Sequence, residues 1–545
     1  MLERLAEYWL DSANERGYQP AFVQILVSDG HRVLHSTRHA PIEFGKDVIS
    51  IAPDGMPCAY QLKGNPGGRL THSQFRDIQP QLQELVTQAI PYPGVPDVHH
   101  RSYLVTNGFV DEEVQRAIQD LNRAWERNGF GTEALKVLER GHLLERANAL
   151  GTSLWPFGVA DLGALIDLLS HSGTDMLPLQ KMHRLLSTMY QFAGPGSPPG
   201  GRELERLITS TALLVAVATR NFGLSANRFA LATAWVLFGT YTMAACTRAG
   251  VLAADWPIAE SLSAARQAVF EEIGALVDEA GQRANLVEGF PWADTEFYPA
   301  RQALLNGIGS AYWLWCRQDD LSPANLSAVE AFLPEEFSPR ALWGEAAMPQ
   351  LLAHYWYISR RDASFGPERW LAQLVATVIR CQLGQEEAEF LASPYYSITD
   401  VVRHRHAGFL GAANDPFDAM SFRETSYFAE ALFHLVVRTN LKQHCKALWP
   451  EFTRLKLRWF EVAEPWQFCT VHSERGLTCT KLVPPTVQWA TLQEEAASRD
   501  MPKVPALLRA DPVLLLLFVM IVPQRATPDV VRFLGHEFSD IWFLP

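Results

Sequence analysis

Hydrophobic and polar positions follow two different rhythms along this chain, and the change falls near residue 150. Before it, short apolar runs alternate with stretches whose apolar residues recur every three or four positions. This pattern predicts a helix over residues 2 to about 16 and strands at Val48–Ile51 and 59–62. A helix within 71–90, a strand at 102–106, a helix at Glu112–Arg127 and a strand at Leu135–Leu138 follow. Thr71 and Gln74 have the spacing of a capping box, with Phe75, Ile78, Leu82, Leu85 and Val86 as the apolar stripe behind it. Pro80 is expected to kink or restart that helix. From about Trp155 the three-and-four rhythm takes over, as in Leu162, Leu165, Ile166 and Leu169. The expected fold class is therefore an α/β N-terminal domain, residues 1–150, followed by a large all-α C-terminal region, residues 151–545. Within the latter, residues 193–202 (AGPGSPPGGR) hold too much Gly and Pro for regular structure and are expected to form an exposed loop or hinge.

Two apolar stretches bear on membrane insertion, which requires about 20 mostly apolar residues. The run Val513 to Val522 is too short, bounded by Pro512 and Pro523. The uncharged window from Phe229 to Thr247 contains Thr233, Gly239, Thr240, Tyr241 and Thr242, and its neighbours are amphipathic, so a buried bundle helix is expected and no membrane. The N-terminal MLERLAEYWLDSANERG lacks the basic, apolar and small-residue regions of a signal peptide. Seven cysteines without CxxC spacing argue against a disulfide framework or zinc ribbon and for a cytoplasmic location.

With 47 Lys and Arg against 60 Asp and Glu, the net charge is −13, so no global positive field draws the molecule to nucleic acid. Any such site is a local patch. The informative stretch is residues 43–68, EFGKDVISIAPDGMPCAYQLKGNPGG. Its Pro53-Asp54-Gly55 is a turn signal, because Pro pre-sets φ, Asp bonds its own backbone and Gly accepts positive φ. A hairpin centred on Asp54 pairs residues whose numbers sum to 108. Asp47 then lies opposite Gln61, with Lys63 two residues further along the same face. Asp47 and the Gln61 carbonyl are hard oxygen donors for Mg²⁺ (or Mn²⁺), and the Leu62 main-chain carbonyl is a candidate third. Lys63 can orient water and stabilise charge developing on a phosphate.

These residues resemble the signature of the PD-(D/E)xK restriction-endonuclease-like superfamily, and within it the Mrr-type branch, whose (E/Q)xK element can begin with Gln. The resemblance rests on Asp47, Gln61 and Lys63. It covers roughly residues 1–150, including an opening helix ending at Gly17-Tyr18, the GKDVI and YQLKG strands and the later SYLVTNG. It implies a Mg²⁺-dependent endonuclease cleaving DNA in restriction or anti-phage defence. Gln61 removes the charge a Glu would bring, so metal binding leans on Asp47 and a further acid. Glu43 qualifies if the chain bends at Gly45, since four residues of extended strand span roughly 13 Å. Glu7 on the first helix is the other candidate.

Arg69, His72 and Arg76, beyond the catalytic strand, are candidate phosphate contacts. The Gly64 to Arg69 loop is no P-loop, lacking GK[ST]. His404, His406 and Asp400, or Cys469, Cys479 and His472, have metal-ligand types without recognisable spacing. Trp313, Trp315, Trp356 and Trp370 are expected in the core. The helical region is expected to sense a signal or bind a protein partner or a second copy of the chain, gating the nuclease. A ribonuclease using the same site and an inactive nuclease-like assembly module are the alternatives.

Overall fold

The computed structural model describes residues 2–36, 46–90, 92, 94–96, 98–149, 159–192, 198–251, 257–282, 298–320, 323–333, 342–361, 366–384, 390–401, 419–470 and 478–539. Glu43, residues 193–197 of the Gly/Pro-rich segment, His404, His406 and His472 lie outside them. The described chain divides into two compact units, residues 1–272 and 273–545.

The first unit is built on a five-stranded sheet. Its strands are β1 (Arg32–Ser36), β2 (Val48–Ile51), β3 (Pro57–Lys63), β5 (Arg101–Thr106) and β7 (Leu135–Leu138), adjacent in that order. The β1/β2 and β2/β3 pairs are antiparallel, and β3/β5 and β5/β7 are parallel. Two-residue strands β4 (Arg69–Leu70) and β6 (Phe109–Val110) pair beside the sheet.

Helices α3 (His72–Thr87) and α4 (Glu112–Arg127) cover one face. There Phe75, Leu82, Leu85, Val114, Ile118 and Trp125 close over Ala59, Leu104 and Leu135. The Thr71–Gln74 capping box forms as expected, and α3 is assigned as one helix through Pro80 rather than restarting there. The other face meets α2 (Glu15–Ser28), where Phe22 packs edge-on against Tyr60 at 5.5 Å.

The first helix differs from the sequence expectation. Residues 2–16 divide into α1 (Leu2–Leu10) and α2, because Asn14 caps the second helix by accepting from Gly17 N–H at 2.8 Å. Gly17-Tyr18 therefore opens α2 instead of ending the first helix. Tyr18 through Val27 is almost wholly buried except Pro20, since α2 lies between the sheet and helix α8 (Arg202–Ala218). Burial on both sides explains its nearly continuous apolar sequence, which hides the helical period. Strand β1 was not evident either; it is only five residues long and carries a bulge between Val33 and His35.

After α5 (Arg140–Ala149) the first unit continues in α6 (Val159–Ser170), α7 (Leu179–Met189), α8 and, further on, the 22-residue helix Arg228–Ala249. The latter is the one described helix long and apolar enough to cross a membrane, and 94% of its apolar window is buried within the fold, as in a core helix. The second unit is mostly helical, but the expected all-α character needs correction. Thr478–Leu482 pairs antiparallel with Lys456–Phe460, which pairs parallel with Thr425–Ser426. These strands are too short for their alternation to stand out among helical periods. Trp313, Trp315, Trp356 and Trp370 are buried in this unit, consistent with core roles.

Candidate active site at the end of the central strands

The hairpin has the register expected from the Pro-Asp-Gly turn. Val48 faces Tyr60, Ile49 faces Ala59, Ser50 faces Cys58 and Ile51 faces Pro57. Asp47 N–H extends this ladder to the Tyr60 carbonyl at 2.8 Å. The antiparallel pleat then places the Asp47 and Gln61 side chains together. Asp47 Oδ2 accepts from Gln61 Nε2 at 2.7 Å and from the Leu62 main-chain N–H at 2.6 Å. Both side chains are buried.

Because the Gln61 amide spends its nitrogen on Asp47, its carbonyl points elsewhere. Gln61 Oε1 is buried and has no hydrogen-bond partner among the described residues. A buried acceptor left this way is costly unless something supplies a positive charge or a donor. Oxygen donors from a carboxylate and a carboxamide are what a hard divalent cation takes. Asp47 and Gln61 thus supply donor types that the implied metal takes, and among the described residues no three His, Cys, Asp or Glu side chains converge on a point that could hold an ion.

Lys63 closes β3 on the same face as Gln61. Its ammonium lies 4.0 Å from Glu15 Oε2, and its main-chain carbonyl accepts from the Tyr18 hydroxyl at 3.2 Å. The same hydroxyl lies 3.2 Å from the Val105 carbonyl and shares its one proton between the two acceptors, tying α2 to the ends of β3 and β5. Burial, reinforced by the negative charges of Glu15 and Asp47, pushes the Tyr18 hydroxyl well above its usual range, so it remains a donor. Beside Asp47, the buried Lys46 ammonium donates to the Glu84 carbonyl in α3 at 3.4 Å. Burial lowers its pKa to about 8, against the opposing charge of Glu84.

Of the two candidate accessory acids, Glu43 lies outside the described residues, and Glu7 contributes to the field at Arg140, which pairs with Asp11. The acid beside the Lys63 ammonium is Glu15. Sequence reasoning missed it because a helix through residue 16 makes Glu15 an ordinary surface acid. The signal was the Asp11-Ser12-Ala13-Asn14 run, rich in capping types inside the supposed helix.

Two of the three candidate phosphate contacts have acidic neighbours. Arg69 pairs with Asp111 at 3.5 Å, and His72 lies 3.8 Å from Glu113, both acids coming from the start of α4. Arg76 is exposed on α3.

Comparison with protein-family models, curated proteins and solved structures gave no match. The arrangement at this sheet end is therefore read from its own geometry.

Proposed function

We propose that the end of β2 and β3 is the active site of a metal-dependent endonuclease hydrolysing phosphodiester bonds, DNA foremost. The reading is of a PD-(D/E)xK-like enzyme of Mrr type serving restriction or anti-phage defence. The observation that carries it is the Asp47–Gln61 pair, in which one buried hydrogen bond orients the amide and leaves its buried carbonyl without a partner among the described residues.

Asp47, the Gln61 and Leu62 carbonyls and Glu43 would hold Mg²⁺ or Mn²⁺, which when bound supplies Lewis acidity to the phosphodiester. The chain's own residues do the rest. Asp47 is fixed by two donors and so presents its carboxylate in one orientation. Lys63 offers a cation and hydrogen-bond donor to negative charge developing on phosphate. Glu15 restrains that ammonium, and the Tyr18 bond to the Lys63 carbonyl restrains its backbone. The acid partners of Arg69 and His72 reduce attraction to duplex phosphate, and the net charge of −13 adds to this. Efficient cleavage is accordingly gated, with the helical region receiving a protein partner or a second copy of the chain.

The test is cleavage of plasmid, linear duplex and RNA by the full chain in Mg²⁺ or Mn²⁺, beside Lys63→Ala. Metal-dependent DNA cleavage lost in a folded Lys63→Ala protein is expected. Activity on RNA alone would change the substrate class, and cleavage unaffected by Lys63→Ala would overturn the site.

A further inference from the structure

The turn after β5, Thr106-Asn107-Gly108, contains a completely buried amide that the proposed chemistry does not use. The Asn107 side chain bonds three groups in two separate parts of the chain. Its Oδ1 accepts from Asn65 N–H at 2.8 Å, while Nδ2 donates at 2.7 Å to the carbonyls of both Leu10 and Ala13. Leu10 ends α1, where carbonyls lack intrahelical partners, and Ala13 immediately precedes the cap of α2. Asn65 follows Gly64 at the end of β3. One amide therefore joins the α1–α2 corner to the end of the Lys63 strand.

The contact inside this bracket is tight. A Cβ on Gly64 would lie 2.7 Å from the Glu15 backbone nitrogen, so the strand end and the first residue of α2 touch directly. Lys63 and Glu15, the neighbours in that contact, carry the ion pair. Gly108 packs equally closely, since a Cβ there would meet Asn65 Cβ at 2.7 Å. Thr106 Oγ1 donates to Asn65 Oδ1 at 3.2 Å, which orients the residue that Asn107 holds. The Asp47–Gln61 pair has a different support, the β2–β3 ladder and the Leu62 N–H. The two halves of the site thus share β3 but differ in what holds their side chains.

We propose that Asn107 is a positioning residue for the lysine half of the site. It sets Glu15 against Lys63 and thereby fixes where the Lys63 ammonium stands. The role needs an acceptor and two donors in one short side chain, which Asn supplies and Asp does not. Its catalytic consequence rests on the endonuclease reading; its positional consequence can be read without cleavage.

The test uses Asn107→Asp in the full chain, which keeps the acceptor facing Asn65 but turns an oxygen toward two carbonyls. Where that variant does not fold, Asn107→Gln keeps the amide and moves it by one methylene. Two assays are run on proteins with a cooperative unfolding transition: labelling of Lys63 by an amine-reactive reagent, followed by peptide mass spectrometry, and the kinetics of metal-dependent cleavage, giving kcat and KM. Lys63 labelling is expected to rise to the level of Glu15→Gln. The kcat is expected to fall about 10²-fold with little change in KM. Adding Asn107→Asp to Glu15→Gln should then change neither the labelling nor the kinetics further. Unchanged labelling in a folded variant, or losses fully additive with Glu15→Gln, would overturn the role. If the wild type cleaves nothing while Asn107→Asp still releases Lys63, the endonuclease reading fails and the positioning stands.

Discussion

Gln61 is a neutral side chain that offers a donor and an acceptor in two directions. Its NH₂ holds Asp47 and its carbonyl remains buried without a described partner, so the residue is both a support and a candidate ligand. Gln61→Glu removes the donor and sets two carboxylates side by side. Metal-free stability should fall by about 1–3 kcal/mol, measured by chemical denaturation, while Mn²⁺ affinity by calorimetry is retained or rises. Gln61→Leu should lose affinity and activity. Identical Mn²⁺ affinity in all three proteins would remove Gln61 from the ligand set. This pairing was legible in the sequence because a Pro-Asp-Gly turn fixes register and strand side chains alternate. Glu15 and Asn107 were not legible, since their partners lie 48 and 42 residues away from them at Lys63 and Asn65, joined only by the fold.

Among the secondary-structure elements, the antiparallel hairpin and the corner between α1 and α2 bring the two halves together. The hairpin, α3, α4 and the later strands followed from periodicity and capping residues. The break at Asn14 and the buried α2 did not, because a helix covered on both sides loses its polar stripe. The close approach at Gly64 is the element-level joint. Gly64→Ala places a methyl group 2.7 Å from the Glu15 backbone nitrogen, where no flexible side chain can yield. The expected cost is about 1–3 kcal/mol by denaturation, together with greater Lys63 labelling. A stability and labelling pattern equal to wild type would show that β3 and α2 do not need this contact.

Across the whole molecule, each compact unit has its own buried polar supports. In the second, Glu345 is buried, accepting from Ser426 Oγ and from Tyr427 N–H at 2.9 Å beside the start of the helix Ala429–Arg438. Burial raises its pKa to about 7 from 4.5, opposed by these hydrogen bonds. Between those pH values the folded form holds a proton that the unfolded form has lost, so this contribution to stability is fully present below about pH 4.5, falls as pH rises and levels off above about pH 7. Glu345→Gln should therefore gain in melting temperature relative to wild type as pH rises through this window. A constant difference across it would contradict the assignment. The gating expected of an acidic chain predicts that cleavage per molecule rises with protein concentration or with a partner; strong cleavage by a dilute monomer at physiological salt would contradict that. The coarse division into an α/β part and a mostly helical remainder was visible in the change of period near residue 150. The short strands of the second unit were not, because two to five residues carry too little pattern. The central claim, a metal-dependent site at Asp47, is tested most directly by calorimetric titration of Mn²⁺ into the full-length wild type and Asp47→Ala, with cleavage followed in the same samples. Binding and cleavage by wild type, both lost in a folded Asp47→Ala protein, is the predicted result; equal binding and cleavage by the two proteins would contradict it.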